Sequence, residues 1–296
     1  MCRITSIGEI LFDIYPEKKI LGGAPFNFIY HIISLTGKGN FISRIGRDEE
    51  GEDILDFMKK NGLSSGFIQI DSEHPTGESV ANLDEIKVPS WEIKKETAYD
   101  FIEMNQQIES LISKETDCLY FGTLAQRNIT TRKTIQGCFS RNLKYFCDLN
   151  IRQNFYTKEL ITKCLEVCNV LKLNIEELRL VNNLLLNKTF DTTETPKRIL
   201  NEYNIDQLSV TYGDQGAAIY KNNRNSYCQL KTGNVVDTVG AGDGYAAIFC
   251  LGYLNDWDIE KTNKTASEFS AEIVKIKGAL PGDPGFYNKF KQTLNE

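Results

Sequence analysis

Apolar and polar positions along this chain follow two rhythms: short β-branched or aromatic runs, and longer stretches at helical spacing. RITSIGEILFDI (Arg3–Ile14) reads as a strand, and a helix follows from about Pro25, a residue suited to a first helical turn. GNFISRIG (Gly39–Gly46) is the next strand. DEEGEDILDFMKKNG (Asp48–Gly62) is a helix with acids in its first turn, Lys59 and Lys60 in its last, and Gly62 to end it. DCLYFG, LKYFCDLN, VCNVLKLN and DQLSVTYG (from Asp117, Leu143, Val167 and Asp206) are further short buried strands, each followed by a helical or loop segment. This β-then-α rhythm predicts an α/β fold, a mostly parallel sheet covered by helices on both faces.

One segment departs from that rhythm. Thr76–Phe101 alternates residue by residue, carries many charges, and turns near Asp84–Glu85. The pattern predicts a small antiparallel β excursion covered on one side only. With EILFDIYPEKKILGG it makes a lid of about residues 9–22 and 76–101, within a single domain spanning 1–296. The lid's apolar set, Val80, Leu83, Val88 and Trp91, offers a surface through which a homodimer could pair.

Composition narrows the function classes. A hydrophobic share of 41% over 296 residues is enough for a proper core. The net charge of -6, with no Lys/Arg block, argues against a reader of nucleic-acid backbones. No apolar run has membrane-spanning length and Met1–Gly8 lacks the regions of a signal peptide, so the expected compartment is the cytoplasm. Eight cysteines are scattered without a C-x-x-C pair. Cys118, Cys147 and Cys250 lie in apolar runs, and Cys164 and Cys168 share a helix face far in sequence from His31 and His74. Neither a zinc site nor a disulfide framework is expected.

Ligands of a parallel α/β sheet bind beyond the carboxyl ends of its strands. The polar residues predicted there are Asp13, Gly22–Gly23 with Asn27, Gly46 and Asp48, Asp148 with Asn150 and Arg152, Asn174 with Glu177, Thr211 and Gly213, and Asp237 to Asp243. DTVGAGDGYAAIFCLGYL (Asp237–Leu254) is the densest stretch, a glycine turn entering a long apolar helix. Two readings stay open for it alone. Gly240, Ala241 and Gly242 can form an anion cradle at a helix N-terminus with Asp243 at its lip, or Asp243 is an N-cap in a glycine turn. The chain has no G-x-x-x-x-G-K-[ST] and no G-x-G-x-x-G after its first strand, and two histidines give a Ser-His-Asp hydrolase little support.

Taken together, LGGAPFNFIYHI, SRIGRDEEGE, FGTLA, CDLNIR, KLNIEEL, VTYGDQGA and DTVGAGDGYAAI occur in the order and spacing of the ribokinase-like (PfkB) carbohydrate kinases, and the chain resembles the fructokinase-type branch of that family. The resemblance covers nearly the whole chain. It implies a ribokinase-like three-layer sandwich and ATP-dependent phosphorylation of a sugar hydroxyl, with fructose as first acceptor. The alternatives are a related kinase for another sugar, a sugar acid such as 2-keto-3-deoxygluconate or a nucleoside, or a sugar- or nucleotide-sensing protein without catalysis.

By the same resemblance Asp243 is the base and the Gly240–Gly242 amides stabilise the transferred phosphoryl group. Asp13, Gly22, Gly23, Asn27, Asn150 and Arg152 bind sugar, although Arg152 has Asp148 as a competing partner. Lys172, Asn174, Thr211, Gly213 and Gly216 bind ATP, and Asn174 and Glu177 hold Mg²⁺ through water. For NIEE alone, an Asn cap with an exposed first-turn Glu is the better reading, and for VTYGDQG a hairpin turn into the AAIY strand is compatible with the nucleotide role. A monovalent cation (K⁺) beside Asp237 and Thr238 also comes with the likeness. Asp48 is expected to cap its helix, and His31 to be packed rather than catalytic. Phe26 and Ile29 stand where the family pattern has small residues, so a repacked helix or a narrowed sugar pocket is expected, and Phe26 with Phe28 could make a shelf for a nucleoside base.

Overall fold

The computed structural model describes residues 2–83, 89–139, 142–230 and 233–295. Nine strands form the main sheet: β1 (Ile4–Ile7), β4 (Asn40–Gly46), β5 (Ile68–Asp71), β8 (Cys118–Phe121), β9 (Lys144–Asp148), β10 (Val170–Asn174), β11 (Gln207–Thr211), β12 (Ala217–Lys221) and β13 (Arg224–Cys228). Their order is β13-β12-β11-β10-β9-β8-β1-β4-β5. Every pair from β11 to β5 is parallel, and β12 and β13 close one edge as antiparallel hairpins. From β1 the chain first builds outward to β4 and β5, then returns to β8 on the other side of β1. That reversal opens a crevice at the carboxyl ends of β1 and β8.

Helices cover both faces, and the strands show it residue by residue. In β8, Leu119 and Phe121 join one core, while Cys118 and Tyr120 join the other. The first core lies under α3 (Gln106–Lys114), α4 (Ile129–Gly137), α5 (Lys158–Val167), α6 (Ile175–Val181) and α7 (Glu194–Tyr203). The second lies under α1 (Ala24–Thr36), α2 (Glu49–Lys60), α8 (Ala241–Leu254), α9 (Ile259–Ile273) and α10 (Asn288–Asn295). Burial on both faces explains why these strands read as continuous apolar runs. It also explains α8, which packs on α1 and α9 and is buried from Gly244 to Gly252. A helix enclosed on every side is apolar all round.

A second sheet, order β3-β2-β6-β7, is built from β2 (Leu11–Tyr15), β3 (Lys18–Gly22), β6 (Gly77–Leu83) and β7 (Pro89–Ile93). Two of its three pairings are antiparallel, as expected from the alternation; the central β2–β6 pair runs parallel. The turn near Asp84–Glu85 and Val88 fall outside the described residues. The run Arg3–Ile14, read as one strand, is two, broken at Gly8–Ile10 and shared between the sheets. Gly8 is the cause: a Cβ there would stand 2.7 Å from Pro25 Cγ and 3.6 Å from the Ala125 methyl, so the chain slips between these neighbours and leaves the main sheet.

Two fixed points hold the small sheet in place. Asp48 caps α2 by accepting from Gly51 N at 2.8 Å, and it also accepts from Thr76 N and Thr76 Oγ1 at 2.7 and 2.6 Å, beside the start of β6. Arg127 pairs with Asp100 at 2.7 Å with both side chains buried, and its guanidinium donates to the Lys94 carbonyl just after β7. The three cysteines in apolar runs, Cys118, Cys147 and Cys250, are buried, and so are Cys138, Cys164 and Cys168. Among the described residues no three His, Cys, Asp or Glu converge as a metal site, and no helix is long and apolar enough to cross a membrane.

Candidate active site

The strand ends converge on a cavity of about 470 Å³. From the main sheet come Glu9 after β1, Leu124 after β8, Asn150 and Arg152 after β9, Lys172 and Asn174 of β10, and Thr211 of β11. The small sheet adds Asp13, Ser79, Trp91 and Ile93; α1 adds Asn27; and the turn into α8 adds Gly240, Gly242 and Asp243. A second cavity of about 310 Å³ lies alongside, lined by Thr211, Gly213, Gly216, Ala241 and Tyr245 among others. Thr211, Thr238 and Gly242 line both, so the cavities meet at the mouth of α8.

The local geometry decides between the two readings of the glycine turn. Gly240 is the N-cap of α8 with φ 78°, and no side chain caps the helix. Asp243 is therefore not the cap. It lies two residues inside the helix, and its carboxylate accepts from Asn27 Nδ2 at 2.8 Å. The Ala241 amide reaches the Thr238 carbonyl at 3.4 Å, and the first turn as a whole carries the positive end of the helix dipole with no side-chain cap. Gly240 is required by packing as well as by φ, since a Cβ would meet the Ala279 methyl at 2.2 Å. At Gly242 the space is open toward one group, Lys172, whose Nζ would lie 3.5 Å from an added Cβ.

Lys172 is nearly fully buried and donates to Asp148 Oδ2 at 2.8 Å. Burial opposes its charge, but Asp148 and Glu177 outweigh that and hold the ammonium above its ordinary pKa. Asp148 is thus the partner of Lys172 and not of Arg152, whose side chain is exposed at the cavity and, among the described residues, donates only to its neighbour's carbonyl (Ile151) at 3.5 Å. Asn150 adopts φ 42°, a left-handed conformation that Asn tolerates better than most residues and that brings the chain around the cavity wall. Gln153, which the sequence reading passed over, donates to the Trp91 carbonyl at 2.6 Å and ties this loop to the small sheet.

Acids in the cavity are perturbed. Burial pushes the Asp13 carboxyl up to about 6, against the Ser79 hydroxyl and Arg152. Burial also raises Asp243 to about 6, opposed by the Asn27 amide and reinforced by the charge of Asp148. Glu9, buried in the cavity wall, was not singled out in the sequence; GEILFD reads there as strand, and only a lone acid between apolar neighbours hinted otherwise.

Gly22 and Gly23 fit their places for different reasons. Gly22 lies opposite Asp13, whose Oδ2 would be 3.2 Å from an added Cβ. Gly23 has φ 107°, and a Cβ would stand 2.6 Å from the Glu9 carbonyl oxygen. Replacing Gly23 by Ala is expected to cost about 1–3 kcal/mol through that overlap, and to weaken ligand binding by shifting Glu9 and the start of α1. Thermal denaturation and a ligand titration of the variant check this.

Several expectations need correction. Glu177 is buried rather than exposed: Asn174 and Glu177 form a capping box, in which Glu177 accepts from Asn174 N at 2.8 Å and from Ile151 N at 2.7 Å. Phe26, Phe28 and Ile29 face the core, Phe26 against Phe41 and Phe57, and Phe28 stacked on Tyr120 at 3.8 Å. They neither narrow the cavity nor form a shelf in it. Trp91, counted among the lid's outward apolar residues, faces the cavity. Asp237 accepts from Val239 N and Gly278 N, holding the glycine turn. His31 is packed, as expected, on Phe269 and bonded to the Tyr287 hydroxyl, and burial depresses its pKa to about 3. The hairpin expected for VTYGDQG is present, with Tyr212 N donating to Gly216 O at 2.8 Å, and its turn also lines the second cavity.

Known proteins share this architecture. The nucleoside kinase of Methanocaldococcus jannaschii is 32% identical over 302 residues, covering 96% of this chain and 94% of its own. A 5-dehydro-2-deoxygluconokinase of Geobacillus thermodenitrificans is 26% identical over 274 residues, covering 87% and 78%. The solved fructokinase of Xylella fastidiosa with bound ATP has the same fold, with a TM-score of 0.82 at 19% identity over 99% of each chain. Residues 16–284 match the pfkB family carbohydrate kinases, and the protein belongs to that family of phosphotransferases, whose acceptors are sugar hydroxyls.

Proposed function

We propose that the protein transfers the γ-phosphoryl group of ATP to a hydroxyl of a small neutral sugar, with fructose as first candidate. The observation that carries this reading is the meeting of the two cavities at Gly242, with Asp243 on one side and Lys172 on the other. In this reading sugar occupies the cavity of Asp13, Asn27, Asn150 and Arg152, beneath the small sheet acting as a lid. ATP occupies the cavity of Thr211, Gly213 and Gly216, with its terminal phosphates toward the Gly240–Gly242 amides. Asp243 takes the proton of the attacking hydroxyl, whose oxygen forms the new bond to the γ-phosphorus. The bond from phosphorus to the bridging oxygen breaks and its electron pair leaves with ADP. The α8 amides and the Lys172 ammonium offset the charge that builds on the phosphoryl oxygens.

Glu177 accepts one backbone amide on each oxygen, which leaves each a lone pair for a magnesium-bound water. Magnesium arriving with the nucleotide keeps most of its waters, which suits this arrangement.

Charge favours a neutral acceptor. Asp13 and Asp243 face Arg152 across one cavity, since Lys172 is committed to Asp148. A sugar acid is the second reading, supported by Arg152, a cation in the cavity with no carboxylate partner among the described residues. The discriminating measurement is kcat/KM with ATP across fructose, 2-keto-3-deoxygluconate and a purine nucleoside. Fructose is expected to lead by at least about tenfold, the loss typical of one unmatched polar group. A lead for the sugar acid that Arg152→Leu abolishes would move the assignment to the second reading.

A further inference from the structure

Glu9 is the one cavity acid that the reading above leaves without a task. It follows β1, an inner strand between β8 and β4, where Gly8 threads between Pro25 and Ala125, and only 2% of its surface is exposed. Its Oε2 is buried with no hydrogen-bond partner, yet the residue lines the cavity. Among the described residues no Lys or Arg stands within ion-pair distance of it. The carboxyl meets its own backbone amide, but a buried carboxyl oxygen is normally paired, and Oε2 left unpaired in a ligand cavity calls for a ligand group.

We propose that Glu9 is a specificity residue that holds a proton and donates from Oε2 to an oxygen of a neutral sugar. This rests on the sugar-kinase reading and adds to it the only carboxyl in the cavity that acts as a donor. An ionised carboxylate can only accept, whereas the acid form offers one O–H. Asp13 and Asn27 already supply acceptors, so a donor at Glu9 completes the match to a polyol. Burial raises Glu9 to about 7. The charged and titratable groups that face it are Arg152 beyond β9, Asp243 on α8, Arg127 and Tyr120 from the β8 side, and Tyr99 after β7. Arg152 and Arg127 favour the anion, Asp243 opposes it, and desolvation dominates.

The sign follows directly. Binding that needs the protonated acid is complete below its pKa and is lost as pH rises through it. For a group titrating near 7, the apparent Kd rises about thirtyfold from pH 6 to pH 8.5.

Fructose binding to the full chain without nucleotide, read by the fluorescence of Trp91 in the cavity, tests this. Wild type should show that rise. Glu9→Gln, which keeps a neutral donor, should bind at pH 6 within about threefold of wild type and stay flat to pH 8.5. Glu9→Ala should bind weakly at every pH. Asp13 titrates lower, near 6, and affects all three proteins alike above pH 7. A wild-type Kd that does not change above pH 7 overturns the proposal without reference to any variant, and so does a Gln variant that binds like Ala while melting like wild type. If no neutral sugar binds wild type at any pH, the sugar-kinase reading falls and this inference with it.

Discussion

Asp243→Asn is expected to lower kcat by about 10²–10⁴-fold, the contribution of a positioned general base, while fructose Kd stays within a few-fold of wild type. The asymmetry comes from the geometry. Asn27 Nδ2 donates to Asp243 Oδ2, and an Asn side chain can still accept that bond, so the helix mouth keeps its shape. What is lost is the capacity to take a proton. The same group sets a pH dependence: with its carboxyl raised to about 6, the base is ionised above that pH, so kcat at saturating sugar rises through pH 6 and levels off near 7. Measuring kcat rather than kcat/KM separates this limb from the loss of sugar affinity at higher pH assigned to Glu9. A variant that loses sugar binding but retains kcat would show that Asp243 binds and does not act as the base.

The second large effect falls on Lys172. Its replacement by Met strands Asp148, 1% exposed, without its cation; the Tyr120 hydroxyl at 3.3 Å is the remaining side-chain donor. Breaking a buried pair on one side costs about 3–5 kcal/mol, enough to lower the melting temperature markedly. The double variant Lys172→Met with Asp148→Asn removes the stranded charge and should recover much of that stability. It should not recover activity, because the ammonium facing Gly242 is absent in both. Denaturation curves of the two variants, set beside their KM for ATP, divide the structural role of Lys172 from its role at the phosphates. If stability and activity return together, Lys172 serves the fold alone.

How much of this the chain disclosed depended on the kind of signal. Strands buried on both faces announced themselves as apolar runs, and the all-apolar α8 announced a helix enclosed on every side. Side chains at strand ends were legible because a parallel sheet places them together, and Asp13, Asn27, Asn150, Arg152, Asn174, Thr211 and Asp243 do line one cavity; Lys172 came only with the family resemblance.

Three things were not legible, each because a long-range contact decides it. The break at Gly8 depends on Pro25 and Ala125 closing from either side. The Lys172–Asp148 pair joins neighbouring strands, and sequence proximity alone had offered Arg152 to Asp148 instead. Phe26 and Phe28 looked available to a ligand, but the face of α1 that carries them is turned into the core, while Ala24 and Asn27 line the cavity. Glu177 is a mixed case. The Asn174 cap was legible in NIEE, but not that Glu177 would be buried and close a capping box with it.

The central claim is that phosphate passes from ATP to a sugar at the mouth of α8, and its most direct test is ³¹P NMR of the protein with magnesium, ATP and fructose. The account predicts a sugar phosphomonoester signal growing in step with ADP while inorganic phosphate stays low. ADP accompanied only by inorganic phosphate, or unchanged ATP with fructose and with every other sugar, sugar acid and nucleoside tried, would contradict it.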